Sequence, residues 1–172
     1  MRHRKLPHID LPKYLQFVTF RTAESLDPYL KNLHAQNLPG GKKQLLADRH
    51  LDRSKHGAHL YVEALKVYRN VLHAEDGKSY DLIAYAIMPN YLHLLFRQKT
   101  DLPTIVRRIK AKSALEINKL LGRSGAFWAK DYYDRAVRDE KHLQIVYDYI
   151  MNNLLKAGLS DASERIYSVY DA

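Results

Sequence analysis

The sequence predicts an α+β protein with a ferredoxin-like antiparallel sheet and helices on one face. Three observations lead there. Two strand-like runs, residues 80–88 and 91–97, are separated by little more than Pro89-Asn90. A join that short makes strands pair antiparallel. Stretches with helical apolar spacing lie on both sides of this hairpin. A further strand-like run, residues 14–21, lies near the N-terminus, and strands interleaved with helices around a hairpin give this layer arrangement.

The elements can be justified in order. Tyr-Leu-Gln-Phe-Val-Thr-Phe-Arg at 14–21 is rich in β-branched and aromatic side chains, which suit a strand. Residues 27–37 read as a helix stopped by Pro39-Gly40-Gly41, a strong breaker. Residues 42–52 and 58–74 carry helical spacing, with Leu60, Ala64, Val67 and Val71 on one side of the second. A Glu75-Asp76-Gly77-Lys78 turn leads into the hairpin. Leu102 to Leu121 reads as a long helix ended by Gly122 and Gly125. Phe127, Trp128, Tyr132, Tyr133 and Val137 suit a strand or extended segment, and Asp139 is a fitting N-cap for a helix to about Leu155. Residues 1–172 read as one domain, with a core over about 6–160 and a short tail at 161–172.

Composition narrows the function. At 172 residues and 46% apolar, the chain can bury a substantial core. It has no run of 18 apolar residues, so no membrane span is expected. Met1 to Pro7 is basic without an apolar stretch, so no signal peptide is expected. The absence of cysteine excludes disulfides and thiolate metal sites, and it is compatible with the cytoplasm, the expected location. A net charge of +9 points to a polyanion partner, because Lys and Arg contacts to phosphate release counterions.

Three segments could carry chemistry. In Met88-Pro89-Asn90-Tyr91-Leu92-His93-Leu94-Leu95-Phe96, strand alternation turns Leu92, Leu94 and Phe96 to one face and Tyr91, His93 and Leu95 to the other. An i, i+2 pair there can hold a metal, although spacing alone favours His93 as a lone, partly buried histidine. In the 139–155 helix, Leu143, Val146, Tyr147, Ile150 and Leu154 form the apolar stripe. Tyr149 lies well off it and Asn153 at its flank, one turn apart on the same side; spacing alone favours an ordinary boundary tyrosine and a C-terminal asparagine. The helix 102–121 carries Arg107, Arg108, Lys110, Lys112 and Lys119. With only Glu116 against them, they could track a phosphate backbone.

Taken together, these segments resemble the REP-associated tyrosine transposases, relatives of the HUH single-strand transposases. Leu6-Pro7-His8 followed by Phe17-Val18-Thr19-Phe20 is similar to the family's opening strand. Met88 to Leu95 resembles its Met-Pro-Asn-His-x-His-Leu-Leu signature, and Phe127-Trp128 through Glu140 resembles its Trp-centred segment. Tyr149-Ile150-x-x-Asn153 with Lys156-Ala157-Gly158-Leu159 resembles its nucleophile helix.

The resemblance implies the HUH transposase fold and binding of single-stranded or hairpin, REP-like DNA. It implies cleavage and rejoining through a 5′-phosphotyrosine, with Mg²⁺ or Mn²⁺ polarising the scissile phosphate. Carried over residue by residue, Tyr149 takes the nucleophile position, His93 that of the second histidine and Asn153 that of the amide ligand. Arg107, Arg108, Lys110 and Lys112 are expected on the DNA backbone from charge. The chain departs from the signature at Tyr91, where the family has its first histidine. A phenol ionises near pH 10 and is a poor neutral ligand, so weakened metal binding and low or absent cleavage are expected. The alternative is a domesticated hairpin-binding protein without catalysis. A monomer is expected, with a dimer as the alternative.

Overall fold

A computed structural model of the chain describes residues 15–171, without the side chains of Lys156 and Ala157. Leu6-Pro7-His8 therefore lies outside the described residues. Strand β1 (Leu15–Arg21) is followed by a 3₁₀ turn and by helices α1 (Pro28–Ala35), α2 (Gly40–Arg53) and α3 (Val62–Glu75). The hairpin β2 (Tyr80–Ile87) and β3 (Tyr91–Gln98) comes next, then α4 (Leu102–Leu121), β4 (Tyr133–Val137) and α5 (Glu140–Ala157). A short α6 (Ala162–Arg165) and β5 (Ile166–Ser168) close the chain.

The strands form one five-stranded sheet in the order β4-β1-β3-β2-β5, and every neighbouring pair is antiparallel. The expected α+β antiparallel sheet is present, but helices cover both of its faces rather than one. The reason lies in β3. Tyr91 to Phe96 are all buried, and a central strand apolar on both sides needs a layer on each. Val18, Phe20, Leu92, Leu94 and Phe96 pack with α3 and α4. Phe17, Tyr91, Leu95 and Val137 pack with α1, α2 and α5. The alternation read from the sequence is kept, with a full layer on each face.

Local signals set the boundaries. Asp139 caps α5 by accepting from the His142 amide at 2.7 Å, and Asp101 caps α4 through Thr104 at 3.0 Å. Gly122 ends α4 at φ 64°, a left-handed conformation that costs a glycine nothing. The 126–137 segment divides in two: Trp128 bridges Thr22 and only Tyr133–Val137 is strand. The tail, which the sequence left unassigned, adds β5 to the sheet edge. Arg165 beside it is fully buried and donates to the Ile87 carbonyl at 3.1 Å. Among the described residues, no helix is long and apolar enough to cross a membrane.

Leu94, 1% exposed at the centre of the α3–α4 face, is a direct test of this core. Leu94→Ala should lower unfolding free energy in urea by roughly 2–5 kcal/mol. A loss well under 1 kcal/mol would contradict the packing described.

Candidate functional site

The site forms where β3, α2 and α5 meet on one face of the sheet. His93 is fully buried in β3. Its strand partners are Thr19 on β1 and Ala86 on β2. Thr19 Oγ1 lies 2.6 Å from His93 Nδ1, so a cross-strand pair fixes the ring. The small Ala86 side chain crowds the ring little. Phe17, Tyr91 and Tyr149 surround it, with ring centroids at 5.3, 5.3 and 5.3 Å for Phe17–His93, Tyr91–His93 and His93–Tyr149.

Helix α2 brings two carboxylates to this cluster. Asp48 and Asp52 are four residues apart, so they share a helix face. Asp48 is 2% exposed. Its Oδ1 accepts from Gln44 at 2.7 Å, and its Oδ2 accepts from the Tyr149 hydroxyl. The same Oδ2 lies 3.1 Å from His93 Nε2, yet Nε2 has no hydrogen-bond partner. The two atoms are close without the alignment that a shared proton would give. Asp52 accepts from the Tyr91 hydroxyl at 2.5 Å, and that hydroxyl accepts from Asn153 Nδ2 at 3.0 Å.

The hairpin turn holds α2 against β3. Asn90 donates to the carbonyls of Leu51 at 3.0 Å and Ser54 at 3.3 Å, closing the end of α2. The Pro89 carbonyl accepts from the amides of His59 and Leu60, both at 3.0 Å. Gly57 lets this loop approach, because a Cβ there would lie 2.2 Å from Thr22 Oγ1.

The electrostatics keep both tyrosines protonated. Burial, then the charges of Asp48 and Asp52, push the Tyr91 phenol well above the usual range. Burial, then Asp48, do the same to Tyr149. A buried phenol facing a carboxylate gives up its proton only when something offsets the negative field.

Comparison with known proteins places this geometry. The sequence profile of the IS200-like transposases matches residues 55–153, more than half of the chain, spanning the hairpin and the Tyr149–Asn153 pair. The chain belongs to the IS200-like transposase family. Its fold resembles the solved structure of a REP-associated tyrosine transposase bound to a REP hairpin, at a TM-score of 0.59 and 14% identity, covering 90% of this chain and 74% of that one. It is also similar to the crystal structure of a protein from Deinococcus radiodurans R1 described as a transposase (TM-score 0.44, 17% identity, 89% and 98% covered). No curated protein matches the sequence.

In this IS200-like transposase the side chains singled out from the sequence fall into two groups. Tyr149, His93, Asn153 and Tyr91 come together. As a ligand set for Mg²⁺ or Mn²⁺ they fit in part. His93 Nε2 is a buried nitrogen without a hydrogen-bond partner, which suits a ligand. Tyr91 does not suit one, since its protonated hydroxyl is engaged by Asp52 and Asn153. Among the described residues no three His, Cys, Asp or Glu side chains are gathered as a ready cage. Asp48 and Asp52 were missed in the sequence, where they read as polar residues of an amphipathic helix. The available signal was their i, i+4 spacing beside the apolar Ala47 and Leu51.

The four cations of α4 are on the opposite face of the sheet. Lys112 is engaged by Glu75, and Arg108 donates to Ser79 at 3.1 Å. Lys110 donates to the Ala129 carbonyl at 2.8 Å and lies 5.4 Å from the Phe20 and Tyr132 ring centroids. Arg107 is exposed on the rim of a groove of about 460 Å³ with Lys110, Trp128 and Tyr132. The expected backbone contacts are thus separated by the sheet from Tyr149.

Burial brings the Lys110 ammonium down to about 8 from 10.5 for a free lysine. Above about pH 8 the folded chain sheds this proton before the unfolded chain does. The unfolded state then holds more protons, and stability rises with pH up to about 10.5. The stability difference between wild type and Lys110→Met should therefore move in favour of wild type between pH 8 and 10. A pH-independent difference in urea melts would refute the shift.

Proposed function

We propose that the protein is a REP-associated type of tyrosine transposase, which binds hairpin or single-stranded DNA and cleaves and rejoins it through Tyr149. The observation that supports this most is the convergence of Tyr149 of α5 and His93 of β3 on the buried carboxylate of Asp48, with Asn153 of α5 bonded to the neighbouring Tyr91 hydroxyl. A REP hairpin, the ligand of the solved structure with the similar fold, is the substrate class proposed here.

In this reading the Tyr149 oxygen attacks a backbone phosphorus. The bond from phosphorus to the 3′ oxygen breaks, and that oxygen takes up a proton and departs as a 3′-hydroxyl. The tyrosine proton leaves along its hydrogen bond to Asp48. The 5′-phosphotyrosine keeps the bond energy, so a later 3′-hydroxyl can reverse the step and reseal a strand. Thr19 orients His93, and α5 carries Tyr149 and Asn153 on one side so that they reach the site together. A bound divalent cation would polarise the phosphate and offset its developing charge, with His93 and Asn153 to hold it. Phe17 and Tyr149, edge to face at 6.2 Å, fix the approach of the nucleophile.

The buried phenol of Tyr91 favours a second reading, a hairpin-binding protein that no longer cuts. One experiment separates the two. Incubation with labelled REP-like hairpins and Mn²⁺ should give a covalent protein–DNA adduct that disappears in Tyr149→Phe. Tight hairpin binding with no adduct would replace the transposase reading with the binding one.

A further inference from the structure

The site has an imbalance that the resemblance does not account for. Two carboxylates, Asp48 and Asp52, face the place where a DNA phosphate has to come, and Asp48 is 2% exposed. A phosphate beside a buried carboxylate is repelled strongly at low dielectric. Something cationic has to lie between them if Tyr149 is to reach phosphorus. Among the described residues no lysine or arginine bonds either Asp48 oxygen: its partners there are Gln44, Tyr149 and the His93 ring.

A second, independent feature points to the same place. His93 is fully buried, and among the described residues its Nε2 has no hydrogen-bond partner although Asp48 Oδ2 is 3.1 Å away. Two donors at about 2.1 Å on adjacent corners of an octahedron are about 3.0 Å apart. The spacing of Nε2 and Oδ2 is thus that of two ligands of one small divalent ion. Nδ1 is occupied by Thr19 at 2.6 Å, the kind of outer contact that fixes the ring of a ligating histidine and leaves Nε2 to the metal.

We infer that Asp48 of α2, and not Tyr91, completes the divalent-cation site of this chain, sharing the ion with His93. The carboxylate replaces the imidazole that Tyr91 displaced. Its oxygen keeps capacity for both partners, since a carboxylate has about four lone-pair sites: one on Oδ2 faces Tyr149 and another the ion. Asn153 lies one hydroxyl away, bonded to Tyr91, and Asp52 anchors that hydroxyl from the far side. The carboxylate oxygen suits Mg²⁺ and Mn²⁺, whereas imidazole is the ligand type of the later first-row metals, and Mn²⁺ is the probe used here. This inference rests on the proposed function for the purpose of the ion, but not for its existence.

The test reads binding and not turnover. The full chain is titrated with Mn²⁺ alone, free ion is followed by electron paramagnetic resonance, and nitrogen coupling to the bound ion by electron spin-echo modulation. Wild type should bind one Mn²⁺ with imidazole coupling. Asp48→Asn should weaken binding at least tenfold, and His93→Gln should abolish the coupling. Tyr91→Phe should bind as wild type does, since the phenol is not a ligand.

No binding by wild type at millimolar Mn²⁺, or Asp48→Asn binding like wild type, would overturn the inference. So would a tenfold loss in Tyr91→Phe. If Asp48→Asn does not fold by circular dichroism, the imidazole coupling in wild type and the behaviour of Tyr91→Phe decide. Mn²⁺ bound in this way without any DNA adduct would uphold the site while the cleavage reading fails. An adduct with no Asp48-dependent binding would do the reverse.

Discussion

The organisation of the site depends on one buried carboxylate. Asp48 accepts from the hydroxyl of Tyr149, lies 3.1 Å from His93, and is itself held by Gln44 at 2.7 Å. It therefore ties α5 and α2 to the centre of β3. A buried charge with few partners is costly. Burial first, and then the charge of Asp48, keep the Tyr149 phenol protonated.

That arrangement requires a strand that serves two layers. β3 turns Leu92, Leu94 and Phe96 into the α3–α4 core and Tyr91, His93 and Leu95 towards α2 and α5. The first face packs against α3 and α4, and the second brings His93 beside Asp48. Asn90, at the hairpin, donates to the end of α2 and so sets how far the two carboxylates reach across the sheet. The Tyr91 phenol spans Asp52 and Asn153 and so bridges two helices.

Much of this was legible in the sequence. The hairpin followed from Pro89-Asn90 between two alternating runs, and the placement of His93 followed from alternation. Tyr149 and Asn153 read as one turn apart on one side of α5, Tyr149 off the stripe and Asn153 at its flank; the structure packs Tyr149 against the core and buries Asn153. Other features depend on long-range contacts that no local pattern encodes. The second helical layer was missed because periodicity says that a helix has an apolar face, not which side of the sheet it covers. Edge strand β5 is three residues long, too short for alternation to register. Asp48 looks like any charge on an amphipathic helix until α5 folds onto it. The cations of α4 were visible as a cluster, but their partners Glu75, Ser79 and the Ala129 carbonyl lie on other elements.

The central claim is that Asp48 and Tyr149 are energetically coupled, and a double-mutant cycle on stability measures this without any DNA or metal. Unfolding free energies of wild type, Asp48→Asn, Tyr149→Phe and the double variant should show a coupling of about 1 kcal/mol or more, as expected for residues in one buried hydrogen-bonded network. Additive effects, with coupling within about 0.3 kcal/mol of zero, would contradict the account.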